Sequence, residues 1–117
     1  MEHRWNARQA VDCDVVIYHQ NLPVARCSTI NLSPQGVLLA PTALDVELNS
    51  PVDVEFNVAG KQVAKRYRLP AQVVHHSAEG TGCMFRANQP QTQILIRELI
   101  ESVRHLDKRR IPGTAKI

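Results

Sequence analysis

From Val52 to Val58 every second residue is apolar (Val52, Val54, Phe56, Val58), and Asp53, Glu55 and Asn57 fill the gaps. A helix would scatter these four side chains around its circumference. A pleated strand puts them all on one face, so the run reads as a strand with one side buried and one side wet. Pro51 heads it, at the position where a missing N–H disturbs a ladder least. The same period of two recurs at Val11, Cys13, Val15 and Ile17, with Asp12 and Asp14 between them.

Turn-formers divide the rest of the first 85 residues into comparable pieces. His19-Gln-Asn-Leu-Pro23 is a turn cluster that predicts a hairpin into a second strand over 24–31. Leu32-Ser-Pro-Gln-Gly36 breaks the pattern, and the short apolar run Val37-Leu-Leu-Ala40 is stopped by Pro41. After a polar connection comes the alternating run 51–58, then a turn at Ala59-Gly60. Residues 63–76 read as a further strand, with Pro70 at a bulge or an edge, and Ala78-Glu-Gly-Thr-Gly82 turns the chain into Cys83-Met-Phe85. About six short strands at regular spacing, with no helical period among them, predict an antiparallel barrel or sandwich.

One helix is expected at the end. Asn88 is the candidate N-cap, Pro90 sits in the first turn, and Ile96, Leu99, Ile100, Val103 and Leu106 follow helical spacing. That stripe should pack on the barrel or close one of its ends. Lys108-Arg-Arg110 suits a helix C-terminus, and residues 111–117 read as a frayed tail. The organisation is therefore an N-terminal arm over 1–10, an all-β domain with its C-terminal helix over 11–107, and a basic, disordered tail over 108–117.

A chain of 117 residues suffices for one core and not for two. No apolar run approaches the roughly 18 residues that a membrane helix needs, so no membrane insertion is expected. The first eight residues are polar, unlike a secretory leader. Cys13, Cys27 and Cys83 are odd in number and widely spaced, which argues against a disulfide framework and for the cytoplasm. The formal charge of +3 hides an asymmetry: residues 11–60 carry one arginine against six acids, and residues 61–117 carry eleven Lys/Arg against four acids. A basic half can attract any polyanion, so this pattern has little specificity, and most of the charges are read as solvated surface.

Two short patterns stand apart from the scaffold. Arg4-x-x-x-Arg8 lies just before the first strand, and Asn31-x-Ser33-x-x-Gly36 lies at the junction of two strands. An arginine pair alone is commonplace, and an Asx turn alone would explain Asn31–Gly36 without any ligand. In this order, flanking one hairpin, the two resemble the PilZ family pattern of Arg-x-x-x-Arg followed by Asp/Asn-x-Ser-x-x-Gly. The Gly82-x-x-Phe85 ending and the terminal helix also resemble that family, over about Arg4 to Leu106. The resemblance implies a six-stranded antiparallel β-barrel, no enzymatic activity, no cofactor, and cyclic di-GMP as the ligand.

The ligand's chemistry explains the residue types. Cyclic di-GMP presents two guanine edges and two phosphates, and a planar guanidinium can fork onto guanine O6 and N7 or grip a phosphate. The resemblance assigns those roles to Arg4 and Arg8. Asn31 can accept from guanine N1–H or the N2 amine, although the family more often has aspartate here, whose contact would be charge-assisted. Ser33 can donate to phosphate, and Gly36 permits a positive φ or a close backbone approach. His3, just before the first arginine, is a further ligand candidate and favours one bound ligand over a stacked pair. Trp5 either anchors the arm to the barrel or lies against the ligand.

Other readings carry less weight. His75-His76 with Cys83 could suggest zinc, but adjacent strand residues point to opposite faces. Lys65-Arg66-Tyr67-Arg68 could touch nucleic acid, yet aromatic platforms are missing. No catalytic triad, acid pair or phosphate loop is recognisable. The expected function is a cyclic di-GMP receptor that orders its N-terminal arm on binding and thereby presents a changed surface to a downstream protein. The alternative is a ligand-independent interaction module in pilus or flagellar motility machinery.

Overall fold

A computed structural model of the chain describes residues 8–59 and 64–110, with the backbone alone for 105–110. The elements are β1 (Gln9–Ala10), β2 (Asp14–His19), β3 (Leu22–Ser33), β4 (Gly36–Leu39), β5 (Pro51–Val58), β6 (Lys65–Ser77), β7 (Gly80–Phe85) and α1 (Pro90–Arg110). All pairings are antiparallel, in the order β1-β3-β2-β5-β6-β7-β4, and β4 returns to pair with β3. That last pairing closes β3-β2-β5-β6-β7-β4 into a six-stranded barrel, with β1 as an extra rung on β3. Closure removes the free edges an open sheet of this size would expose.

The alternation read from the sequence is the alternation of burial. Val52, Val54, Phe56 and Val58 are buried and the residues between them face outward; β6 repeats the pattern at Tyr67, Leu69, Ala71 and Val73. On α1 the stripe Ile96, Leu99, Ile100 and Val103 belongs to the same buried cluster as the barrel interior. The inward-facing Tyr67 hydrogen-bonds Ser102 through its hydroxyl at 2.8 Å, so the helix lies over an opening of the barrel. The side chain of Leu106 lies outside the described residues.

Several local details depart from the sequence reading, each for a physical reason. β3 begins at Leu22, two residues early, and includes Pro23. Its proline is tolerated because β4 pairs with β3 only from Thr29 onward, so the missing N–H has no ladder to interrupt. The hairpin turn is only Gln20-Asn21, both at positive φ (55° and 67°), as a two-residue primed turn requires. Pro70 lies just beyond the β6–β7 ladder, which begins at Ala71; the bulge falls instead at Val74, between Val73↔Cys83 and His75↔Gly82. β7 begins at Gly80, inside the expected turn, because Ala78-Glu79 alone reverse the chain.

The helix starts at Pro90, and the N–H groups of Thr92 and Gln93 both point at the carbonyl of Gln89, which therefore holds the capping position expected of Asn88. The helix continues to Arg110, so Lys108–Arg110 belong to it; residues 111–117 lie outside the described ones. At the other end Gln9 and Ala10 pair with Leu32 and Asn31, so the last residues of the arm form part of the sheet.

The cysteines are free thiols. Burial pushes Cys13 up to about 11, with Asp14 adding to it, and burial pushes Cys27 to about 11 and Cys83 to about 12. The folded chain thus holds these protons more tightly than the unfolded one. The thiols' contribution to stability is complete below their ordinary 9.0 and declines as pH climbs through about 11. Native protein at pH 8 should react only slowly with a water-soluble disulfide reagent, and urea should release all three thiols; fast native labelling of Cys13 or Cys83 would contradict their burial.

Two glycines admit close backbone approaches where β4 meets β7: Gly36 and Gly80, the latter against the Leu39 carbonyl. A Cβ on Gly36 would stand 2.3 Å from the carbonyl oxygen of Cys83, on the neighbouring strand, whereas a Cβ on Gly82 would approach nothing closer than the Cβ of His75 at 3.3 Å. The requirement at Gly36 is close approach; its φ is not positive. Gly36→Ala should cost about 1–3 kcal/mol in urea denaturation, the range for overpacking a tight site. Gly82→Ala should cost clearly less, and equal losses would show that the β4–β7 contact is not the tight one.

Candidate ligand-binding cleft

The site is assembled by an interruption in the sheet. β1 and β2 both lie along β3 but are separated by residues 11–13, and Thr29 on β3 spans the gap: its hydroxyl donates to the Val11 carbonyl and accepts from the Cys13 N–H. The N–H and C=O groups of Val11 and Cys13 each keep a partner, as buried polar groups must. Val11 N–H bonds the Ile30 carbonyl at 3.2 Å and Thr29 N–H the Cys13 carbonyl at 3.0 Å. The chain entering β1 is thereby held against the far end of β3, and Arg8 is set beside Asn31.

A bulge turns Asn31 toward it. Between Thr29↔Leu39 and Asn31↔Leu38 the register gains one residue, Ile30. Thr29 and Leu32 are both buried as a result, while Asn31 is only half-buried. In a regular strand Asn31 would share the inward face of Thr29, two residues away. Here its Oδ1 accepts from Arg8 Nη1 at 2.8 Å, and the same nitrogen reaches the Gly36 carbonyl at 3.4 Å.

Ser33 is placed differently. It is 2% exposed, its Oγ accepts from the Gln35 N–H at 3.2 Å, and it donates to Gln35 Oε1 at 3.3 Å. That is a side-chain-closed turn, which shapes the Ser33–Gly36 reversal from within.

Arg8, Asn31, Gln35 and Gly36 form one side of an open cleft of about 410 Å³. Leu38, Val74, His75, Gly82 and Met84 form its floor and far side. Of the expected site residues, Arg8, Asn31 and Gly36 meet here, Ser33 supports the turn without lining the cleft, and Arg4 and His3 lie outside the described residues. Among the described residues no acidic side chain lines the space, and Arg8 supplies a cation at its rim, so the cleft suits an anion with flat, polar edges.

From the sequence none of the floor residues reads as a ligand contact, and His75 figures there only as a zinc candidate. Val74 and His75 reach the cleft through the β6 bulge, and bulges leave no mark on hydrophobic periodicity. Gly82 was visible only as part of the Gly82-x-x-Phe85 ending.

His76, Tyr67 and Arg68 are engaged elsewhere. His76 bonds the Val46 carbonyl at 2.9 Å and Thr81 Oγ1 at 3.2 Å, and among the described residues no three His, Cys, Asp or Glu side chains gather as a metal site would require. In the 65–68 run, Tyr67 is buried and Arg68 is tied to Asp53 at 2.9 Å and to Asn21 at 2.9 Å. Among the described residues no helix is long and apolar enough to cross a membrane.

No curated protein matches the chain. In structure it is similar to the PilZ domain of CeSA from a cellulose-synthesizing bacterium, with a TM-score of 0.68 and 15% identity over 86% of this chain and 98% of that one. It is also similar to an inhibitor of motility from Bacillus subtilis (MotI/DgrA), with a TM-score of 0.64 and 18% identity over 94% of this chain; it spans 55% of that protein's length. At such identities the likeness is one of fold. The family model of the PilZ domain, however, matches residues 2–102, and the chain belongs to the PilZ family of cyclic di-GMP receptor domains.

Proposed function

We propose that this chain binds cyclic di-GMP in the cleft between Arg8 and the β6–β7 wall and acts as a receptor without enzymatic activity. The observation that carries the reading is the Arg8 guanidinium held at 2.8 Å on Asn31, at the rim of a cleft that no acid lines among the described residues. Arg8 offers a planar fork to a guanine edge or a phosphate, and Asn31 offers an amide to the same base. Arg4, four residues upstream in the sequence, supplies the second guanidinium, and His3 a single neutral donor near neutral pH. One ligand per domain is the expected stoichiometry.

Calorimetric titration with cyclic di-GMP, with GTP as control, tests the reading directly. Arg8→Ala should weaken binding more than about tenfold, since a charged hydrogen bond contributes roughly 1.5–3 kcal/mol and this side chain makes more than one. Arg8→Lys should restore little, because a point charge cannot fork. Wild-type affinity in Arg8→Ala would remove Arg8 from the site, and absence of binding by the wild type would leave the ligand-independent interaction module as the better account.

Signalling on this reading comes from the arm. Gln9–Ala10 form part of the sheet on β3, and the ordering on binding is proposed for residues 1–7, which lie outside the described ones. Seating two phosphates beside Arg4 and Arg8 would offset the roughly 1–2 kcal/mol per residue needed to fix that segment, and the ordered arm would form a new surface for a downstream protein. Amide hydrogen exchange should show the N-terminal peptide gaining protection when cyclic di-GMP saturates the protein. Full protection of that peptide before ligand is added would eliminate the switch.

A further inference from the structure

The outer wall of a barrel strand normally carries polar side chains, yet the wall facing Arg8 does not. Val74 and Met84 are 42% and 47% exposed, and the half-buried Leu38 completes an apolar surface across β6, β7 and β4. The register brings them together: Leu38 stands opposite Gly82, and Met84 stands opposite Gly36 on one side and Gln72 on the other. Glycine thus alternates with a large apolar residue on both β4 and β7. Gly82 leaves a hollow between Leu38 and Met84, and the Val74 bulge sets Val74 and His75 along its border. A hollow with an apolar floor, a guanidinium and an amide at one rim and an imidazole at the other has the make-up of a subsite for a flat, polar-edged ring.

We propose that Leu38, Val74 and Met84 form a stacking floor for one purine ring of the ligand, with Arg8 and Asn31 addressing the edge of that ring and its phosphate. The inference rests on the cyclic di-GMP reading, and it assigns ligand contact to residues outside both sequence motifs. The apolar floor removes the ring's faces from water, and the polar rim fixes its orientation. Opposite requirements are met by different strands: β1 and β3 carry the polar rim, while β4, β6 and β7 carry the floor.

The test uses the full chain and cyclic di-GMP. Met84→Glu should weaken binding about tenfold or more, the effect of losing one buried apolar contact beside a like charge. Met84→Leu should bind within about twofold of wild type, since such a swap conserves volume and polarity. Val24→Glu is the control: Val24 is also an exposed apolar strand residue, but it lies on β3 away from the cleft, and its variant should bind as the wild type does. Independently, the Met84 ε-methyl proton resonance should move upfield on saturation, as a methyl under a purine face must.

If Arg8→Ala lost binding while Met84→Glu kept it and the methyl did not move, the floor would be wrong and the receptor reading would stand. If the wild type did not bind, both would fall. An upfield Met84 methyl in the free protein that Trp5→Ala abolished would assign the floor to the chain's own arm and overturn the proposal.

Discussion

Everything that positions the cleft depends on the closure of β4 between β3 and β7. Four residues, Gly36–Leu39, supply that closure, and glycines admit both ends of it: Gly36 lets the backbone of Cys83 occupy the space of a side chain, and Gly80 does the same for the carbonyl of Leu39. Remove the closure and the sheet opens at β3 and β7, exposing unpaired edges and the apolar interior together. The same turn that brings β4 into place forms one side of the cleft, through Gln35 and the Gly36 carbonyl. Asn31-x-Ser33-x-x-Gly36 is therefore first a folding device. Ser33 closes the turn and Gly36 admits the neighbouring strand, leaving Asn31 as the member of the motif whose side chain faces the cleft.

Two bulges then decide which side chains face outward there. The extra residue at Ile30 lets Thr29 and Leu32 both point inward while Asn31 turns to Arg8; the extra residue at Val74 carries Val74 and His75 to the opposite border. A bulge costs ladder hydrogen bonds, and at Thr29 the loss is offset by a hydroxyl that serves both sides of the β1–β2 gap. The cleft is thus a product of irregularities in a regular barrel.

This division explains what was legible in the sequence. β5 was readable residue by residue because a half-buried strand has only one way to satisfy its alternating chemistry, and the helix stripe was readable for the same reason. A barrel or sandwich and the helix therefore followed from periodicity, and the six-stranded barrel from the family resemblance that two motifs carry. Bulges and pairings across 40 or more residues have no local signature, so the sequence yielded Arg8, Asn31 and Gly36 but not Val74, His75 or Met84. The charge asymmetry was likewise visible without its meaning. The acids of β5 and the bases of β6 face each other as cross-strand neighbours: Glu55 pairs in register with Arg68, and Arg68 bonds Asp53 while lying 3.9 Å from the centre of the Tyr18 ring. The exposed Arg68–Asp53 pair contributes little to stability.

Asparagine at position 31 acquires a different sense in that setting. Judged by its contact with guanine alone, it is a weaker partner than aspartate, because the hydrogen bond lacks charge on the acceptor. Its observed partner is Arg8, however, and the same weakness then applies to the bond that holds Arg8. A carboxylate would lock the guanidinium in an ion pair that a phosphate has to break. A neutral amide orients the guanidinium toward the cleft and releases it at roughly half the cost. Orientation is the costly part of recruiting a long side chain, since its rotamers must be frozen in either case. On the proposed reading, Asn31 gives up strength toward the base in exchange for an arginine that is already aimed and still free to move onto the ligand.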